Sequence, residues 1–353
     1  MTKLIFCFDG TCNDPADVGD FFNDGSISNI LKLHALFGGI MSPPNTKNPE
    51  TPEQRSFYYS GIGTRGSWLR QKINAAFSPP SADMEDIISE AKEDLEKNFH
   101  DGDEIFIFGF SRGAAIARMF ASKIGDNYQV KFLGVFDTVA ATKGSLDLRK
   151  GTFPASGVVF ENGTMGKHIE SAVHLVSIDE KRLVFQPTLF NHDKRISEIW
   201  FAGVHSDIGG SYWFDGLSDI TLEFMCKRAK KAGLTILAPS ELDYALLKDD
   251  DDDTNYICHD DININPIFYG VLHEQHRSKM VAMATLAPRK VRVNVDDKES
   301  SEHVPIIHHT VCDRFNKVAG YRPYALRDAR YRVMEENGIE GEVKKGIAML
   351  NGK

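Results

Sequence analysis

The sequence contains no apolar run approaching the roughly 18–20 residues that span a bilayer as a helix. Its first residues, Met1-Thr2-Lys3-Leu4-Ile5-Phe6-Cys7-Phe8-Asp9, hold too short an apolar stretch for a secretory signal, and no small-residue cleavage site follows. The expectation is a cytoplasmic protein, with export by a route that uses no cleaved signal left open. Cysteine is scarce. Cys7, Cys12, Cys226, Cys258 and Cys312 are odd in number and irregular in spacing, without a C-x-x-C pair for zinc or redox work. Reduced, buried thiols are expected. Basic charge is also short: 41 Lys and Arg face 50 Asp and Glu, a net charge of -9. That argues against a nucleic-acid partner and against adsorption to anionic lipid by general charge. With 42% hydrophobic and 26% charged residues, the composition is that of a globular protein able to bury a large core.

Through the N-terminal two-thirds, short apolar runs alternate with helix-like segments. This is the pattern of βαβ units around a parallel sheet. Strands are expected at Leu4–Phe8, Phe57–Ser60, Glu104–Phe110, Val130–Phe136, Ala172–Ile178 and Ile199–Val204. Helices are expected at Asp83–Phe99, Ala114–Ile124 and Leu217–Ala232, the last closed by Gly233 as a C-cap. The texture changes after about Pro239. The reading is an α/β core over 1–238 with an insertion near 13–56. A C-terminal lobe or cover, 239–353, packs on the same domain. The run Asp249–Asp253 reads as an exposed loop; it lacks the glycine and terminal glutamate of an EF-hand, so calcium is the weaker reading.

Gly109-Phe110-Ser111-Arg112-Gly113 matches G-x-S-x-G. The pentapeptide alone is a weak signal, since a capping serine in a tight strand–helix turn has the same composition. Its context is stronger: a buried strand precedes it and an Ala-rich helix follows, as in a nucleophile elbow. Such a serine needs a base, and the base needs an orienting carboxylate, in the chain order Ser, Asp or Glu, His. His205 stands where a strand gives way to a glycine-rich loop and is the expected base; His308 and His309 are runners-up. His174 lies within a strand pattern and reads as structural. Asp137 ranks first as orienter, followed by Asp179 and Asp207. Asp179 has a salt bridge with Lys181 or Arg182 as its plain alternative, and Asp207 has bonds to local amides. The oxyanion should be held by the amide of Arg112 and by the turn at Gly10 and Thr11. No metal or other cofactor is required.

Two other classes compete. Phe8-Asp9-Gly10-Thr11 resembles the strand end of Mg²⁺-dependent phosphatases with Asp9 as nucleophile, although no second aspartate follows. A non-catalytic, hydrolase-like binding protein is the other. Gly61-Ile62-Gly63 lacks the third glycine of a dinucleotide fingerprint.

Several phrases in order resemble one family. They are Phe8-Asp9-Gly10-Thr11, Tyr58-Tyr59-Ser60-Gly61-Ile62-Gly63-Thr64, the elbow with Ala114, Gly134-Val135-Phe136-Asp137-Thr138-Val139, Ile178-Asp179-Glu180-Lys181-Arg182, and Trp200 through Gly210. Gly216-Leu217-Ser218-Asp219 and Tyr321-Arg322-Pro323 also fit. The family is the uncharacterised α/β-hydrolase domain shared with type VI secretion phospholipase effectors. The resemblance implies an α/β-hydrolase fold with Ser111, Asp137 and His205 as triad. It also implies hydrolysis of carboxylic esters through an acyl-enzyme, by a phospholipase or lipase. The partners it implies are an ester or phospholipid substrate, a transient membrane surface, and an immunity or secretion-apparatus protein. One departure is His308-His309-Thr310-Val311, where the family carries a serine.

Overall fold

The computed structural model describes residues 1–10, 25–41, 51, 53–60, 81–140, 165–247, 257–274 and 279–351. Thr11, Cys12, Gly61–Thr64, Asp249–Asp253 and about half of the expected insertion near 13–56 lie outside the described residues.

The elements run β1 (Lys3–Phe8), β2 (Gly25–Ser28), α1 (Asn29–Leu36), β3 (Gln54–Tyr59), α2 (Ser81–Asn98), β4 (Glu104–Phe110), α3 (Ser111–Lys123), β5 (Val130–Phe136) and β6 (Ala172–Ser177). They continue with β7 (Ile196–Phe201), α4 (His205–Gly209), β8 (Gly210–Tyr212), α5 (Gly216–Lys231), α6 (His259–Ile262), α7 (Lys279–Thr285) and the hairpin strands β9 (Asn294–Val295) and β10 (Lys298–Glu299). The last are β11 (Ile306–His308), α8 (His309–Lys317), β12 (Arg330–Met334) and β13 (Lys344–Lys345). Among the described residues, one sheet of nine strands runs in the order β3-β1-β4-β5-β6-β7-β11-β12-β13. All its pairings are parallel except the edge pair β12–β13. This is the mainly parallel sheet flanked by helices, an α/β fold, that the alternating pattern predicts.

A parallel sheet is covered on both faces, so its strands read as continuous apolar runs. In β1, Leu4, Phe6 and Phe8 point to one face, where they meet Ile88 and Leu95 of α2 and Ala114, Ala117 and Phe120 of α3. Ile5 and Cys7 point to the other, against Ile30 and Leu33 of α1 and Leu222 and Met225 of α5. Fully burying each large apolar side chain contributes roughly 1.5–3 kcal/mol, so the two layers hold the central strands rigidly. The chain beyond 300 adds a third cluster, in which Ile307, Val311, Tyr331 and Val333 pack with Trp200 of β7.

Most element boundaries shift by one to three residues from expectation, and two of the shifts bear on function. The helix after β4 starts at Ser111, three residues before Ala114. The strand expected at Ile199–Val204 stops at Phe201, because Gly203 takes φ +128° and turns the chain into α4, which begins at His205. Gly233, at φ +112°, does end α5 in the left-handed region. Cys7, Cys226, Cys258 and Cys312 are free thiols, and burial pushes the Cys7 and Cys226 thiols up to about 12.

Candidate active site

Ser111 holds φ +57°, a conformation that L side chains rarely adopt. It persists because the flanking glycines let two backbones pass in contact. A Cβ on Gly109 would stand 2.6 Å from the Gly113 carbonyl oxygen, and one on Gly113 would stand 2.3 Å from those of Phe8 and Asp9. Strand β4 can therefore turn directly into α3, with β1 pressed against the first turn of the helix. The turn places the Ser111 hydroxyl at the C-terminal end of the sheet, where ligands bind in open α/β folds.

The partners arrive from neighbouring strand ends. Asp137 follows β5, at φ +37°, and is fully buried. His205 opens α4 and is 3% exposed, with its ring held between Phe110 and Phe185 at centroid distances of 4.7 and 4.8 Å. Its Nδ1 lies 2.6 Å from Asp137 Oδ2 and its Nε2 lies 2.8 Å from Ser111 Oγ. Burial alone would raise the Asp137 pKa. The charge of Arg289 and the hydrogen bonds from His205 and Arg289 outweigh it and hold the carboxyl well below its ordinary range. An ionised Asp137 only accepts, so His205 carries its proton on Nδ1 and its Nε2 accepts the Ser111 hydroxyl. Burial also lowers the His205 pKa, against the opposing pull of Asp137, so the ring rests neutral. A neutral imidazole accepting from a serine hydroxyl is the arrangement a general base needs.

The other candidates have different occupations. Asp179 accepts from the Gly203 amide at 2.8 Å and the Tyr321 hydroxyl at 2.8 Å. The salt bridge that is its plain alternative does not form either: Lys181 pairs with Glu274, and Arg182 pairs with Glu180. Asp207 caps the amide of Val204 at 2.9 Å and bonds His273 Nδ1 at 2.5 Å, the local ordering role named as its alternative. His308 bonds Thr310 and stacks on Phe201 at 4.4 Å; His309 bonds Asp313. His174 is structural: its Nε2 accepts the Thr138 amide at 3.1 Å, so its Nδ1 donates to Glu198, and the turn carrying Asp137 is steadied.

At the end of β1, Gly10 passes so near the nucleophile that a Cβ there would stand 3.1 Å from Ser111 Cβ. Its amide is committed, however, donating to Asp9 Oδ1 at 2.6 Å. Asp9 Oδ2 accepts from the Ser28 and Tyr58 hydroxyls, each at 2.6 Å, so this carboxylate organises the turn. Gly10 thus supplies room, and the amide expected of Thr11 falls outside the described residues. Arg112 stands second in α3, in the turn whose amides the helix does not itself use.

Sequence reading misses Arg289 and Glu180. Arg289 grips both oxygens of Asp137, and Glu180 Oε2 accepts the backbone amide of His205 at 3.1 Å. Nothing local marks Arg289. Glu180 lies within a phrase of the resemblance, between Asp179 and Arg182.

A family model described as "T6SS, Phospholipase effector Tle1-like, catalytic domain" matches residues 2–127 and 123–228. An uncharacterized protein of Saccharomyces cerevisiae is 33% identical over 135 residues, which are 35% of this chain and 17% of that protein. A crystal structure of an uncharacterized protein from Pseudomonas aeruginosa shares 20% identity at a TM-score of 0.42, over 68% of this chain and 47% of that one. The structure of the Tle1 effector bound to the VgrG spike shares 24% identity at a TM-score of 0.37, over 60% of this chain and 51% of that one. The aligned part is about half the length of those two solved chains and under a fifth of the yeast protein.

Proposed function

Because the chain belongs to the family of Tle1-like type VI secretion phospholipase effector catalytic domains, we propose that it is a serine hydrolase that cleaves carboxylic esters of phospholipids through an acyl-enzyme. The observation that carries this reading is the relay Ser111–His205–Asp137, with its 2.8 and 2.6 Å contacts, at the mouth of a parallel sheet. His205 takes the Ser111 proton as Oγ attacks the acyl carbonyl, then returns it to the leaving alcohol. Water activated by the same ring releases the fatty acid. Asp137 holds the tautomer and stabilises the imidazolium that forms. Developing negative charge on the carbonyl oxygen is met by the Arg112 amide and the positive end of α3, in the room that Gly10 leaves, with Thr11 as the second donor.

Two features favour a lipid over a small soluble ester. The family is one of phospholipase effectors, and the turn after β8, immediately beyond α4, exposes Trp213 and Phe214 (49% and 60%), side chains suited to a membrane boundary. Family membership also makes a secretion apparatus the protein partner to test. The Mg²⁺-phosphatase reading loses ground, since both Asp9 oxygens are engaged in ordering the turn.

The test is a fluorophosphonate probe followed by fatty-acid release from phosphatidylcholine–phosphatidylglycerol vesicles. Wild type should label and release fatty acid, and Ser111→Ala should do neither. Labelling that survives Ser111→Ala would refute the nucleophile. Labelling without fatty-acid release from any vesicle would refute the phospholipid substrate.

A further inference from the structure

Arg289 comes from the stretch after α7, 152 residues from Asp137 in sequence, yet the two side chains form a fully buried, two-pronged pair. One terminal nitrogen donates to Oδ1 at 2.6 Å and the other to Oδ2 at 2.8 Å. The same nitrogens also donate to the carbonyls of Ser177, at 3.0 Å, and Phe185, so the guanidinium cannot turn. The carboxylate is equally committed. Oδ1 also accepts the Ser177 amide at 3.0 Å, and Oδ2 also accepts His205 Nδ1. Four donors thus fill the four lone-pair positions of Asp137.

We infer that Arg289 is a positioning residue of the relay, holding Asp137 in the plane that presents Oδ2 to His205 and moderating the pull of that carboxylate on the imidazole. The inference rests on the reading of Ser111, Asp137 and His205 as catalytic. Two physical consequences follow. A planar guanidinium bridging both oxygens fixes rotation of the carboxylate, which a point charge on a flexible stem cannot do. A cation shared with Asp137 also competes with His205 for the negative charge. Removing it leaves Asp137 with His205 as its nearest counterion, so the protonated imidazole is favoured and the base is lost at a higher pH. If Asp137 instead takes up a proton when Arg289 is lost, the relay fails on the same acid side. Both routes move the acid limb in one direction.

The other charged groups around His205 are in place regardless of Arg289. Glu180 and Arg182, after β6, form their own two-pronged pair, with 2.9 Å contacts, and Glu180 holds the His205 amide. Asp207, on α4 itself, is engaged by the Val204 amide and His273. A role limited to filling the core predicts lost stability without a moved pH profile.

The experiment measures the second-order rate of fluorophosphonate labelling of Ser111 against pH, with thermal unfolding of each variant. The variants are Arg289→Met, Arg289→Lys, Asp137→Asn and the double variant Asp137→Asn/Arg289→Met. Arg289→Met should move the acid limb up by about one pH unit or more, since a neighbouring charge is worth that much to a buried pair. Arg289→Lys keeps the charge, so its limb should stay near wild type while the plateau falls about tenfold from lost alignment. In the Asp137→Asn background, Arg289→Met should produce no further shift. A folded Arg289→Met protein with the wild-type limb overturns the inference. So does the same limb shift in the presence and absence of Asp137. If Arg289→Met fails to fold, Arg289→Lys and the double variant, which removes both charges, decide. A wild-type plateau in Arg289→Lys, or a double variant shifted beyond Asp137→Asn, overturns it. Full labelling in Asp137→Asn would instead sink the relay itself, so the two failures are distinct.

Discussion

An alanine at Gly113 would place its Cβ 2.3 Å from the backbone oxygens of both Phe8 and Asp9. Ordinary contact begins near 3.4 Å, so the end of β1 and the first turn of α3 would have to separate by about 1 Å. Neither obstructing atom belongs to a side chain, so no rotamer change relieves the clash. The parts forced apart are the turn at Asp9–Gly10 and the helix carrying Ser111 and Arg112, on which the proposed oxyanion site depends. A displacement of this size at reacting groups costs about 10²-fold in rate, or about 2.7 kcal/mol of transition-state stabilisation. Overpacking should also lower stability by about 1–3 kcal/mol. The assay is turnover of a short-chain 4-nitrophenyl ester together with fluorophosphonate labelling and denaturant unfolding. Gly102→Ala is the control: Gly102 sits at φ +94°, and among the described residues no atom lies within 4 Å of where its Cβ would stand. It should therefore show backbone strain of about 1–3 kcal/mol with an unchanged rate. Gly113→Ala with wild-type turnover and stability would refute the argument that contact between β1 and α3 sets the site.

Three more outcomes are expected. Asp137→Asn should lose about 10⁴-fold in ester turnover by misdirecting the imidazole proton, whereas Asp207→Asn, whose carboxylate serves Val204 and His273, should lose far less; equal losses would reassign the orienter. The acid limb of the wild-type rate profile should fall below the free-imidazole value of about 6.5, because burial disfavours protonated His205; a limb above it would show that Asp137 wins. Asp179 is raised to about 6, chiefly by burial. A carboxyl raised in the folded state contributes stability that is fully present below its unfolded value and lost as pH rises through about 6. Unfolding measured at pH 4 and pH 8 should therefore show Asp179→Asn gaining relative to wild type at the higher pH, and a relative loss there would contradict the burial argument.

What is local in this protein was legible in its sequence. The apolar run Ile105–Phe108 is a central strand because it has no polar face to offer water. The glycines flanking Ser111 announce an elbow because only a missing Cβ admits the Phe8 and Asp9 carbonyls beside Gly113. The strand end at Asp137 followed from the alternation of strands and helices, and so did the strand before His205, although that strand stops at Phe201 and His205 opens a helix. Even the two shifted boundaries at the site have local causes, in the φ of Ser111 and of Gly203. Tertiary structure decided what depends on distance through space. Asp137, Asp179 and Asp207 all follow the elbow in sequence and are equivalent in composition. Only the packing of β5 between β4 and β6 brings Asp137 to a histidine 68 residues away. Asp9, which holds the Gly10 amide, is itself held by the hydroxyls of Ser28 and Tyr58, 19 and 49 residues away. Arg289 reaches the site across 152 residues, from a stretch with no motif of its own. Backbone sterics act between neighbouring residues and so are written in short phrases. A buried charge is satisfied by whichever partner the fold delivers, and that partner's identity is settled only when the chain has closed around it.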